Sequence, residues 1–218
     1  MPTAYRTECA ARGVVHPLDA WETLNLDAYL CPKCGATDRD RLQVLFLEKI
    51  VKPGMRTLEI APSAPVSKWL TSREGVMYRS ADFLRDDVDD KIDVCEMSCY
   101  AESSFDIVIC SHVLEHVSDD RMAMKEIKRI LRPGGVSVLL VPISLLIEGV
   151  MEDPLCTNED ERWRRFGQGD HVRIYGRTGF EERLTAAGFR VETFTPNNIV
   201  TAGLSKTSRL YLGYAEGV

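Results

Sequence analysis

The amino-acid sequence predicts an α/β, doubly wound domain on a mostly parallel sheet, and three observations predict it. From Arg56 onward, short β-like runs alternate with helix-period segments, the order that places a crossover helix between parallel strands. The runs at 107–109 and 136–141 are apolar apart from Ser137, as suits strands covered on both faces. Near the end, strand-like runs at 190–195 and 208–214 are joined by 196–206, too short for a crossover helix, so they should pair antiparallel as a hairpin closing one sheet edge.

Each element follows in order. Residues 1–38 contain Pro17, Pro32, Gly35 and a Cys-x-x-Cys, and read as irregular. A helix is predicted over 40–51, because Leu42, Leu45, Phe46 and Ile50 share one face, and Pro53-Gly54 ends it. The first strand is placed at 56–60, a helix at 65–72, the second strand at 76–81, a third near 92–97 and a fourth at 105–110. The segment 118–131 reads as a helix with Ala123, Ile127, Ile130 and Leu131 on one face, stopped by Arg132-Pro133-Gly134-Gly135. After the fifth strand at 136–141, a helix over 178–187 buries Phe180, Leu184 and Ala187 and ends at Gly188.

Composition sets limits on function. The 218 residues suit one domain with a small cap. With 27 Lys plus Arg against 33 Asp plus Glu, the formal charge is -6, which argues against a broad nucleic-acid or anionic-membrane face. No apolar run reaches the roughly 20 residues of a membrane span, and the N-terminal segment lacks the apolar core of a secretory signal. A cytoplasmic protein with mostly reduced thiols is expected; oligomeric state is not legible.

In an open parallel sheet, ligands bind beyond the carboxyl ends of the strands. The residues there are Glu59 with Ala61-Pro62-Ser63, Asp82-Phe83, Asp93-Val94 and Ser111-His112. An acid after strand two suits the hydroxyls of a ribose, and one after strand three suits an adenine amino group. No G-x-G-x-x-G and no Walker lysine follow the first strand, which disfavours a dinucleotide or nucleoside triphosphate.

At this point a family resemblance enters. The stretch 105–117, Phe-Asp-Ile-Val-Ile-Cys-Ser-His-Val-Leu-Glu-His-Val, resembles the fourth motif of the class I S-adenosylmethionine-dependent methyltransferases, of the type 11 kind. Leu131-Arg132-Pro133-Gly134-Gly135 resembles the helix stop that follows it, and Thr57-Leu58-Glu59-Ile60-Ala61-Pro62 the first motif. The resemblance implies a seven-stranded, Rossmann-like methyltransferase fold with an antiparallel C-terminal strand, and S-adenosylmethionine as cofactor. It implies that Glu59 lies behind the methionine-binding loop with Ala61 and Pro62, and that Asp82 holds the ribose beside Phe83. It further implies that Asp93 or Val94 meets adenine and that Ser111 and His112 flank the sulfonium. The sequence departs from the family's acid-x-G-x-G in having no glycine in this loop.

Other residues carry two readings each. His112 and His171 are candidates to remove an acceptor proton, since imidazole titrates near neutrality; each also suits a structural role, as does His116. If 170–175 is extended, His171, Arg173 and Tyr175 share a face that either meets substrate or is simply half buried. Arg39 is a candidate for an acceptor carboxylate or phosphate. Cys31-Pro32-Lys33-Cys34 resembles half a zinc knuckle, with Cys9 and His16 the nearest completing donors; four ligands are usual, so a tight turn without metal is expected. The acids Glu148, Glu152, Asp153, Glu159, Asp160 and Glu161 read as a solvated surface. The expected organisation is a cap at 1–38 and a cofactor-binding domain at 39–218, with an insertion at 144–175 lining the acceptor pocket. The expected activity is methylation of an oxygen or nitrogen on a small-molecule metabolite. A non-catalytic or non-methylating cofactor-binding protein, or a macromolecular methyltransferase, stands as the alternative.

Overall fold

The computed structural model describes residues 2–15, 20–197 and 202–216. In chain order the elements are α1 (Pro2–Ala11), α2 (Asp38–Ile50), β1 (Arg56–Ile60), α3 (Ala64–Thr71), β2 (Met77–Asp82), β3 (Asp90–Lys91), β4 (Phe105–Ser111), α4 (Asp120–Ile130) and β5 (Leu131–Leu140). After these come β6 (Val150–Glu152), α5 (Glu159–Phe166), β7 (Arg173–Tyr175), α6 (Arg177–Ala186), β8 (Arg190–Phe194) and β9 (Leu210–Tyr214). Seven strands form one sheet in the order β3-β2-β1-β4-β5-β9-β8, and β6 and β7 form a separate antiparallel pair. The first five strands of the large sheet pair parallel. β9 returns antiparallel between β5 and β8, as the short tail connection requires. Apolar layers cover both faces of the central strands: Val108 and Cys110 of β4 point into one, Ile107 and Ile109 into the other.

Capping chemistry sets the helix bounds. α2 begins at Asp38, earlier than the apolar period suggests, because Thr37 and Asp40 form a reciprocal capping box. α4 begins at Asp120, later than expected, because Asp119 caps it by accepting from the Met122 N–H at 2.9 Å. It ends at Ile130 because Leu131 is extended, two residues ahead of a proline. Leu131 already pairs with Phe105, so the Arg-Pro-Gly-Gly segment is an irregular first stretch of β5 rather than a free turn.

Two expectations need correction. The first 38 residues are not irregular throughout, since α1 is a helix held by α5. Tyr5 packs on Trp163 with ring centroids 5.8 Å apart, and Arg12 pairs with Glu159 at 2.8 Å and with Asp160. Those two acids are therefore a docking surface, not only a solvated one. The third strand is two residues long and lies at Asp90–Lys91; downstream, the Asp93 carboxylate accepts from Cys95 N–H and turns the chain away from the sheet.

A buried ionic network ties 144–175 to α4 and α6. Asp120 Oδ2 accepts from Tyr175 Oη and Arg183 Nη1, both at 2.6 Å. Arg183 also holds Glu152, and Arg173 Nε reaches the same carboxylate at 3.2 Å. Removing one partner of such a cluster leaves the others charged and dry. Asp120→Ala should therefore cost about 3–5 kcal/mol of stability, read as a lowered urea midpoint at unchanged slope.

Candidate active site

The loop after β1 lacks glycine but keeps the backbone shape a glycine would supply. Ala61 has φ +52°, the left-handed region. The loop is fixed from behind by Glu59, whose carboxylate accepts from Ser63 N–H at 2.9 Å, Ser67 Oγ at 2.8 Å and Tyr78 Oη at 2.8 Å. Burial raises the pKa of Glu59, opposed by these three donors. Pro62 offers its carbonyl to Arg85 at 2.7 Å, which links the loop to the turn after β2. In that turn Asp82 Oδ1 accepts from the Leu84 and Arg85 N–H groups, leaving Oδ2 outside these bonds.

A cavity of about 170 Å³ opens at the carboxyl ends of β1 and β4, walled by Glu59, Ala61, Ser63, Ser111 and His112, with Gln43 of α2 opposite. A larger one of about 300 Å³ adjoins it and shares Arg39 and His112 as wall residues. The cap contributes Tyr5, Trp21, Leu24 and Tyr29 to it, and the segment after β5 contributes Phe166, Gln168 and His171. The cap is sewn down by Trp21 bridging Ser144, and by Glu22, which accepts from Tyr211 Oη at 2.7 Å and Arg177 Nε at 2.5 Å.

Four ionisable side chains converge in the larger cavity. His112, also left-handed at φ +56°, places Nδ1 2.9 Å from Glu115 Oε1. Glu115 is fully buried and its Oε2 has no hydrogen-bond partner. His116 and His171 pack edge to face with ring centroids 4.7 Å apart. Burial, reinforced by Arg39, pushes His112 down to about 4. Burial alone would raise Glu115, but His112, His171 and His116 bring it down to about 2. Burial also lowers His171. At neutral pH Glu115 is therefore a carboxylate held beside a neutral His112.

The structure brings together Glu59, Ala61, Ser111, His112 and Arg39 on the smaller cavity, and His112, His171 and Arg39 on the larger. Pro62, Asp82 and the exposed Phe83 lie along the adjoining rim. Asp93 is exposed beside it, whereas Val94 is buried in the core. Arg173 and Tyr175 do not face either cavity, which corrects their expected contact with substrate. Both are fully buried: Arg173 donates to the carbonyls of Leu114 (2.6 Å) and Ser118 (3.0 Å), and Tyr175 to Asp120. Glu115 is the residue that sequence reading missed; its signal was the spacing His112-x-x-Glu115-His116. Among the described residues no third ligand-type side chain joins Cys31 and Cys34, and His16 lies outside them.

Residues 58–139 match the family model described as a methyltransferase domain. No curated protein sequence matches the chain. Among solved structures, the citrinin polyketide synthase CMeT domain is 16% identical with a TM-score of 0.55, over 88% of this chain and 56% of that one. A Haemonchus contortus phosphoethanolamine N-methyltransferase 2 in complex with S-adenosyl-L-methionine is 15% identical with a TM-score of 0.54, over 82% and 53%. A complex of the Haloferax volcanii Trm112 methyltransferase activator with a protein assigned as a methyltransferase gives 15% identity and a TM-score of 0.53, over 83% and 92%. At these identities the likeness is one of fold.

The left-handed Ala61 gives a direct test of the loop. Ala61→Val, with a β-branched side chain at positive φ, should cost about 1–2 kcal/mol, whereas Ala61→Gly should be neutral or stabilising. Urea denaturation of both variants beside the parent reads the difference.

Proposed function

We propose that this chain, which carries a class I S-adenosylmethionine-dependent methyltransferase domain, methylates an oxygen or nitrogen of a small-molecule metabolite held in the larger cavity. The observation that carries the reading is His112, one side chain that walls both cavities. The residues present fit the cofactor. Ala61 keeps the left-handed turn that lets backbone approach a ligand, and Glu59 braces the loop. Asp82 has an oxygen left for ribose hydroxyls beside Phe83, with the exposed Asp93 rather than the core residue Val94 toward adenine, and Ser111 and His112 toward the sulfonium. The cofactor supplies a methyl group on a cationic sulfur, open to in-line displacement.

The chain's own residues then have three tasks. The cap (1–38) and the insertion (144–175) enclose the acceptor and exclude water, through Trp21, Leu24 and Phe166 on the cavity wall. Arg39 gives that wall a fixed positive charge for an acidic group on the acceptor. His112 takes the acceptor's proton on Nε2: a carboxylate can only accept, so its Nδ1 must be the donor to Glu115, leaving the lone pair on Nε2. Glu115 acts as a positioning residue through His112. His171 is the second candidate base, with Nδ1 3.2 Å from Phe166 O. A cavity walled by cap and insertion together, and an acidic chain, favour a small acceptor over nucleic acid.

Calorimetric titration with S-adenosylhomocysteine should show one site per chain; no binding of either form of the cofactor would reject the proposal. Asp82→Ala should lose about tenfold or more in affinity, as expected for hydrogen bonds to a charged group. With an acceptor found by screening, His112→Gln should lower turnover by about 100-fold or more and change cofactor affinity much less. Equal turnover would remove His112 as the base.

A further inference from the structure

We infer that Glu115, His116 and His171 form a site for a divalent first-row transition ion, with zinc as its simplest occupant, opening on the larger cavity. Three independent features point to it. Ligand atoms of the three residues all lie within 4.8 Å of one another. Glu115 Oε2 is buried without a hydrogen-bond donor, an expensive state that a cation would relieve. Both imidazoles are backed at Nδ1 by an oxygen acceptor: His116 by Asp170 Oδ2 at 3.3 Å, and His171 by Phe166 O at 3.2 Å. The carbonyl can only accept, so it leaves His171 Nε2 as the ligand nitrogen, the usual support of metal-binding histidines, and the nearby Asp170 carboxylate favours the same tautomer of His116. His116 Nε2 is 3.9 Å from Glu115 Oε1.

The ligand set selects the ion. Two imidazoles and one carboxylate suit zinc or iron(II) rather than magnesium or calcium, which prefer all-oxygen shells. Three protein ligands also leave a coordination position open, the mark of a catalytic rather than a structural site. All three residues line the larger cavity, so the open position faces whatever that cavity holds. The acceptor class that follows is a molecule with an oxygen or nitrogen donor beside the methylated atom, with Arg39 on the same wall for an acidic group. This step rests on reading the cavity as the acceptor chamber; the metal site itself does not. His112 stays outside the ligand set, tied to Glu115 Oε1, and is the base once the ion takes the His171 Nε2 lone pair; the carboxylate would then link base and ion.

The test uses full-length protein freed of metal with a chelator and titrated in parallel with zinc chloride and with S-adenosylhomocysteine. The expected result is one zinc per chain. His171→Ala and His116→Ala should each weaken it by about tenfold or more, and Asp170→Asn by less. Thermal melts of the metal-free variants check that they fold. Should either alanine variant fail to fold, Asp170→Asn and the cobalt(II) spectrum carry the test. Cobalt(II) should give a spectrum without a thiolate charge-transfer band, unchanged in a Cys31→Ser, Cys34→Ser double variant. Absence of zinc binding, or binding lost in the cysteine variant but kept in the histidine variants, would overturn the site. Zinc failing while S-adenosylhomocysteine binds removes the metal site alone; the reverse removes the methyltransferase reading alone.

Discussion

One guanidinium holds the candidate active site in shape. Arg173, at the start of β7, donates to the carbonyls of Leu114 and Ser118 and to the Glu152 carboxylate, and is fully buried. Its neighbour Val172 donates its N–H to Glu115 O at 3.0 Å, and Tyr175 Oη also reaches Leu114 O, at 3.2 Å. The turn between β4 and α4 is thereby held at Leu114, Glu115 and Ser118. That turn carries His112, Glu115 and His116, so the positions of these side chains are set from outside their own segment. A buried guanidinium is tolerable only with its donors engaged, so the clamp either forms completely or fails. Such all-or-none behaviour makes the turn rigid rather than adaptable.

The clamp also explains the placement of the segment after β5. Residues 144–175 leave the sheet at Ser144 and return through α5 to β7, where Ile143 bridges Tyr175. In coming back, the chain delivers Phe166 and His171 to the cavity and, two residues after His171, Arg173 to the turn. α1 closes the assembly by docking on α5 with Tyr5 and Arg12. Cap and insertion therefore brace each other, and the chamber between them exists only while both are docked.

Much of this was legible in the sequence, and the gaps have physical causes. The strands β4 and β5 were visible because burial on both faces demands mostly apolar runs, broken in 136–141 only by Ser137. The antiparallel end followed from a connection too short to cross over. Helix ends were displaced by one or two residues because caps such as Thr37 and Asp119, not apolar period, decide them. α1 was missed because its stability comes from α5, nearly 150 residues later (Arg12 to Glu159 is a separation of 147), which no local pattern encodes. The 170–175 alternation did mark a strand, β7. Its facing was misread because both faces are buried, so Arg173 and Tyr175 point into an ionic cluster rather than the chamber. Glu115 was passed over as a site residue because the His112-x-x-Glu115 spacing meets across a left-handed turn rather than along a helix.

That left-handed turn has a counterpart, and the pair says how the fold spends its stability. Among the described residues, four that are not glycine have positive φ, and two of them, Ala61 and His112, wall the smaller cavity. Each conformation costs about 1–2 kcal/mol, and persists only where the surroundings over-determine it. Those surroundings are present: Glu59 and Ser63 behind Ala61, Leu140 O accepting the His112 N–H at 2.8 Å, and two apolar layers beneath. Glu115 adds a third cost, a dry carboxylate oxygen with no donor. A chain selected for stability alone would place an apolar side chain there and glycine at 61. Strain at Ala61 and His112, with an unmet Glu115 oxygen three residues on from His112, is better explained by ligands that meet these groups than by packing.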